Sequence, residues 1–267
     1  KGREVPVVLD GITDAATGDL VTPEEMARRL AGTGILFIGE NHTNQEFHDV
    51  QFRTIRALRE AGREVLIGLE MFPYTEQASL DNWNAGRYTE EGFVEIARWY
   101  DNWGYHWNYY RDIFLFAREH GLRMYGVNTP REVVSAVRKK GLQNLTPDEA
   151  SRIPPKIDTA NEDHKTLFRA FFAGEESMMH TMSTQMFDGM FAAQCTWDAS
   201  MGYNAVQNLT KFGGPKAIMV VLIGSGHVAY NLGVQRQAAL WFDGRMASII
   251  PVPVADAKGR PQTAIQA

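Results

Sequence analysis

Short apolar runs alternate along the chain with longer stretches of helical spacing. Ile35–Ile38, Glu64–Phe72, Leu122–Val127, Lys216–Ile223 and Met246–Val252 each read as a strand, and the first four are nearly continuous, as parallel strands covered on both faces are. Thr22-Pro23-Glu24-Glu25 supplies a cap, an N1 proline and first-turn acids for a helix to about Ala31. Thr43 or Asn44 caps a second helix, with Phe47, Val50, Ile55 and Leu58 along one stripe and an end near Gly62. Thr75 to His120 reads as helical with breaks near Gly86 and Gly104, and Thr129-Pro130 opens a helix that stops at Gly141. Asn144 to Pro155 is turn-rich, and Asp158 to Leu209 reads as two or three helices.

This alternation predicts an α/β fold: a mostly parallel central sheet with helices on both faces, and a helical cap over residues 143–212. We expect one domain across residues 1–267, with an edge strand at Val5–Leu9 and a disordered tail over 255–267.

The strand ends carry the chemistry. The first strand runs into Gly39-Glu40-Asn41-His42, and the fourth into Gly224-Ser225-Gly226-His227, so Gly-x-x-His closes both. Glu70 interrupts the second strand, and an unpaired carboxylate there would be costly, so it needs a partner. Asn128 and Arg131 follow the third. Ligands of open α/β sheets gather beyond the carboxyl ends of the strands, where these residues would converge. His42 and His227 with Glu40 or Glu70 are donors suited to a divalent transition metal with an open position, the other carboxylate acting on bound water. Without metal, a glutamate beside a histidine can also activate water. His48, six residues after His42, faces either the crevice or solvent, and Arg131 suits a carboxylate or propionate.

Charge and composition narrow the partners. A net charge of −5 offers no basic footprint, which argues against nucleic acid. No run approaches the roughly 20 apolar residues of a membrane span. The single cysteine, Cys195, excludes a disulfide framework and reads as a buried small residue. Met178, Met182, Met186 and Met190 recur every four residues along one helix face, suited to core, lid or the wall of a flat apolar ligand. Eight of the twelve residues in WYDNWGYHWNYY, 99–110, are aromatic or histidine. Tyrosine oxygen ligates ferric haem: the cluster offers Tyr105 and Tyr109, and Tyr74 lies just beyond Glu70, but the sequence singles out none of its nine tyrosines as the ligand.

GENHTNQEFH at 39–48, LEMFP at 69–73, VNTPRE at 127–132, TWDASM at 196–201 and GSGHVAYNLG at 224–233 resemble, in order and spacing, the ChaN-like haem-binding family. That family lies within the group that includes TraB and Tiki proteins and the erythromycin esterases. The resemblance implies a doubly wound parallel sheet, haem as cofactor, and a place among bacterial envelope lipoproteins of iron acquisition. Gly39, Glu40, His42, Glu70, Gly224 and His227 match the wider group's motif residues, while His48 and Arg131 match the ChaN-like pattern. Ala199 departs from it, standing where that pattern carries an acid. The chain opens at Lys1 rather than Met, so we expect that an N-terminal segment has been removed; the resemblance implies that such a segment anchored the protein to a membrane of the cell envelope. Expected partners are haem, a second copy in a homodimer, and outer-membrane haem-uptake machinery. The sequence thus supports a haem-binding protein linked to haem or iron uptake, with a metal-dependent hydrolase at the Glu/His crevice as the alternative.

Overall fold

The computed structural model describes residues 11–171 and 183–253. A two-stranded ribbon, β1 (Ile12–Thr13) and β2 (Leu20–Val21), precedes helix α1 (Pro23–Arg29), whose N-cap Thr22 accepts from the Glu25 N–H. Strand β3 (Thr33–Glu40) leads into α2 (Gln45–Glu60), capped by Asn44, and then β4 (Glu64–Pro73). The long helical region resolves into α3 (Gln77–Asn84), α4 (Glu90–Ile96), α5 (Trp99–Asn102) and α6 (Arg111–Glu119). Its breaks fall where expected, since Gly86 and Gly104 both adopt positive φ. Strand β5 (Arg123–Asn128) follows, then α7 (Arg131–Lys140), α8 (Pro147–Ser151), α9 (Glu162–Ala170) and the 29-residue α10 (Thr184–Phe212). Strand β6 (Ala217–Gly224), the short helices α11 (Ser225–Val228) and α12 (Val234–Ala238), and β7 (Arg245–Ile249) complete the described chain.

The five long strands form one all-parallel sheet in the order β5-β4-β6-β3-β7. The chain crosses from β3 to β4, moves out to β5, and returns to insert β6 between the first two. All eight residues of β6 are buried, which is why it is the most uniformly apolar segment. Alternate residues feed two cores. Leu36, Ile38, Ile67, Leu69, Val220 and Leu222 pack under α1 to α6 with Trp83, Trp99 and Phe114. Ile35, Phe37, Met219, Val221 and Ile223 pack under α10 and α12 with Met201, Ala205 and Val234.

Three local expectations change. The second half of α10 lies on the sheet rather than over the crevice, because Met201, Ala205 and Val206 belong to the sheet's own core. Its first half buries Phe187, Phe191 and Cys195 instead of a methionine stripe: Met186 is exposed and Met190 only half-buried. Met178 and Met182 lie outside the described residues, as do Val5–Leu9 and the 255–267 tail. Thr129 does not cap α7; its hydroxyl donates to the Arg152 carbonyl, and Pro130 takes the cap position without a side-chain bond.

Candidate functional site

Parallel pairing in register sets Glu40 of β3 beside Gly224 of β6. Glu40 points to the face that carries α2 and α6, and there it is 3% exposed. Its Oε1 lies 2.7 Å from His42 Nδ1 and accepts from the Tyr110 hydroxyl at 2.5 Å, while Oε2 accepts from Gln51 Nε2 at 2.7 Å. His48 Nδ1 stands 3.3 Å from that same Oε2, and its Nε2 is 3.2 Å from the His42 carbonyl. The Trp103 indole N–H donates in turn to Tyr110 Oη. Burial alone would push the Glu40 carboxyl up, but the bonds from His42, His48 and Tyr110 outweigh it and hold it at about 2. Burial opposes protonation of His48, and Glu40 reverses that and raises it. The Tyr110 phenol is pushed up by burial and by the neighbouring charge of Glu40.

Glu70 of β4 points to the other face. Its Oε2 accepts from the Gly224 N–H at 2.6 Å, and its Oε1 is 3.3 Å from His227 Nε2. The second imidazole nitrogen of His227 lies 2.6 Å from Oδ1 of Asp198, a fully buried residue on α10, and 2.9 Å from the Gln194 amide. Burial disfavours the charged imidazole, yet Asp198 and Glu70 raise His227 to about 10. The two groups meet at Gly224. A Cβ there would lie 3.0 Å from His42 Cε1 and 3.7 Å from Glu70 Oε2, so His42 closes over the glycine toward Glu70.

Glu40, His42, His48, Glu70, Gly224 and His227 are therefore brought to one crevice, but as two carboxylate–imidazole groups. Among the described residues no set of three or more His, Cys, Asp or Glu is placed to hold a metal ion. The reason is local: both Glu40 oxygens are occupied by hydrogen-bond donors, and both His227 nitrogens face carboxylates. The metal assignment of His42, His227 and a glutamate does not fit this donor set.

A family model described as haem-binding uptake, Tiki superfamily, ChaN matches residues 26–237. The chain belongs to that family. Its structure is similar to the Campylobacter jejuni ChaN described for cofacial haem binding, with a TM-score of 0.72 at 17% identity over 94% of each chain. It is similar to an erythromycin esterase mutant in its open conformation at a TM-score of 0.48 and 14% identity, over 85% of this chain and 72% of the other. In sequence it is 23% identical over 215 residues to RETICULATA-RELATED 5, a chloroplastic protein of Arabidopsis thaliana, covering 76% of this chain but only 28% of that relative.

The other expected site residues have separate surroundings. Asn128 Nδ2 donates to the Glu70 carbonyl at 3.0 Å and so steadies the strand end. Arg131 is exposed and donates to the Asp101 and Asn102 carbonyls, closing the end of α5 rather than entering the crevice. Tyr105 packs 4.7 Å from the His42 ring and Tyr109 5.4 Å from His48, so both wall the site. Tyr74 donates to the Arg152 carbonyl at 3.4 Å and lines a 220 Å³ pocket with Tyr203 and Asn204, below the ~300–1,000 Å³ of ordinary small-molecule sites.

Two large aromatic side chains are exposed near the segment that follows β6. Tyr230, in the turn after His227, is 80% exposed with left-handed backbone (φ 54°, ψ 18°). Phe171 is 52% exposed, and a Cβ at Gly226 would lie 3.8 Å from its ring. Both are large exposed rings, Tyr230 within the segment that follows β6 and Phe171 against Gly226 of that segment, and Tyr230 carries a hard phenol oxygen. Sequence reasoning passed over Tyr110, Gln51, Gln194 and Asp198. The available signal for Asp198 was an acid within Thr196-Trp197-Asp198-Ala199-Ser200, whose neighbours Ala199 and Ser200 are small enough for a buried helix face.

Proposed function

We propose that this protein binds haem at the rim of the sheet's carboxyl edge and serves haem or iron uptake in the bacterial cell envelope. The observation that carries the reading is the pair of exposed rings at the segment following β6, Tyr230 within it and Phe171 against Gly226, in a chain of the ChaN haem-binding uptake family. Exposed aromatic surface next to an oxygen donor is what a flat, largely apolar metalloporphyrin requires. Two copies meeting through this surface would place porphyrins face to face, and the Campylobacter protein is described for cofacial haem binding. Attachment to the envelope membrane would hold the chain beside outer-membrane uptake machinery. Haem titration should give a saturating Soret shift that weakens in Tyr230→Phe but survives Tyr74→Phe; no shift in the wild type overturns the proposal. Fractionation of cells expressing the encoded protein tests its location.

A second reading rests on the crevice itself. The approach of His42 to Glu70 across Gly224 is suited to activating water without metal, which supports ester or amide hydrolysis. Hydrolysis of p-nitrophenyl esters in the presence of a chelator, lost in His42→Ala, is the expected result. Equal rates in the two proteins would reject it.

A further inference from the structure

The Glu70 side of the crevice extends inward beyond the residues that the Gly-x-x-His pattern marks. Asp198 is 0% exposed, and its Oδ1 lies 2.6 Å from His227 Nδ1. Among the described residues its Oδ2 has no hydrogen-bond partner; His164 Nε2 is 3.6 Å away. His227 Nε2 faces Glu70 Oε1 at 3.3 Å, and Glu70 Oε2 is fixed by the Gly224 N–H. The Gln194 amide also lies 2.9 Å from His227 Nδ1; an imidazole with a carboxylate against each nitrogen satisfies both only when both nitrogens carry hydrogen, and the amide then turns its oxygen toward the ring. The opposite group differs: His42 has Glu40 against Nδ1, while its Nε2 borders Gly224, and its side chain is 27% exposed.

We infer that Asp198 is a positioning residue: it holds His227 as an imidazolium clamped onto Glu70, so that His227 is no base and His42 Nε2 is the proton-accepting atom of the crevice. This rests on the hydrolytic reading. In the step it implies, His42 Nε2 takes a proton from water as the water oxygen bonds to the ester carbonyl carbon. The carbon–oxygen bond to the leaving alcohol then breaks, and His42 returns the proton to that oxygen, leaving acid and alcohol. Glu70, oriented by His227 and Gly224, lies beside the reacting centre. The rings of Trp103 and Tyr105, each 4.7 Å from His42, suit a substrate with an apolar acyl group.

The charges around His227 are Asp198 on α10, Glu70 on β4, and His164 on α9 with Arg236 of α12 beside it at 3.2 Å. Among the described residues no cation is a direct partner of His227, so loss of Asp198 should release its proton. Imidazole NMR of uniformly labelled protein tests this whether or not hydrolysis occurs. The wild type should keep two N–H signals at His227 up to pH 9, and Asp198→Asn should lose one below pH 8, with Asp198→Glu restoring it. A His227 that becomes neutral near pH 7 in the wild type, or that is unchanged in a folded Asp198→Asn, overturns the inference. If Asp198→Asn does not fold, the wild-type spectrum alone decides. With p-nitrophenyl butyrate, Asp198→Asn should lower kcat at least tenfold with KM little changed. Absence of any wild-type hydrolysis rejects the hydrolytic reading, while the NMR result still judges the clamp.

Discussion

The His42 ring occupies the space that a side chain at Gly224 would enter: a Cβ there would stand 3.0 Å from Cε1 and 3.3 Å from Nε2. The reverse holds at Gly39, where a Cβ would meet Ser225 Oγ at 2.8 Å and Val228 at 3.0 Å. Each glycine of the paired motif thus makes room for the segment that follows the other strand. Gly224→Ala should displace His42 while costing only about 1 kcal/mol of stability, because a partly exposed ring can yield. Gly39→Ala, pressed also against the Ser225 backbone at 3.2 Å, should cost about 1–3 kcal/mol. Denaturant unfolding together with a crystal structure of Gly224→Ala checks both.

Glu40 holds four groups in a buried place, so removing it takes a partner from His42, His48, Gln51 and Tyr110 together. Glu40→Ala should destabilise the fold by about 3–5 kcal/mol, and Tyr110→Phe by about 1–3 kcal/mol. Urea midpoints at neutral pH measure this; an unchanged midpoint in Glu40→Ala would show that the network carries no stability.

The lowered Glu40 carboxyl and the raised His227 imidazole act at opposite ends of the pH range. Glu40 contributes stability above the ordinary glutamate value of 4.5 and loses it as pH falls through about 2. His227 contributes fully below the ordinary histidine value of 6.5, and that contribution declines as pH rises toward about 10. The alkaline decline should approach about 1.4 kcal/mol per pH unit from this group and flatten in His227→Gln. Unfolding free energies from pH 6 to 10 in the two proteins give the comparison.

Tyr230 holds a left-handed backbone that costs a tyrosine about 1 kcal/mol and a glycine almost nothing. Tyr230→Gly should therefore keep or raise the melting temperature while weakening haem binding at least tenfold. Scanning calorimetry and Soret titration of one sample separate the two effects. Simultaneous loss of both would mark Tyr230 as a structural residue.

Strand identities and the convergence of Glu40, Glu70 and His227 were legible in the sequence, because a covered parallel strand must be apolar and its polar end then stands out. His48 was not, since helical spacing alone leaves it between crevice and solvent; only the depth of Glu40 pulls it inside. Asp198 was hidden for another reason. It sits amid a helix whose covered face is set by tertiary packing, with β6 ahead of it in space and behind it in sequence. The metal expectation failed because donor types can be read from a sequence, whereas the partners that already occupy them cannot. Arg131 likewise found backbone carbonyls nearby.

The central strand is among the last segments of the sheet to be synthesised. β3 and β4 do not pair with each other; both pair with β6, which begins at Ala217. Until that segment emerges, the sheet has an unfilled slot with an open edge on either side, and Glu40 and Glu70 stand apart with no Gly224 between them. The crevice therefore reports completion: a chain truncated before β6 would carry most of the site's residues and none of its geometry, and its two exposed edges would invite pairing with other unfinished chains.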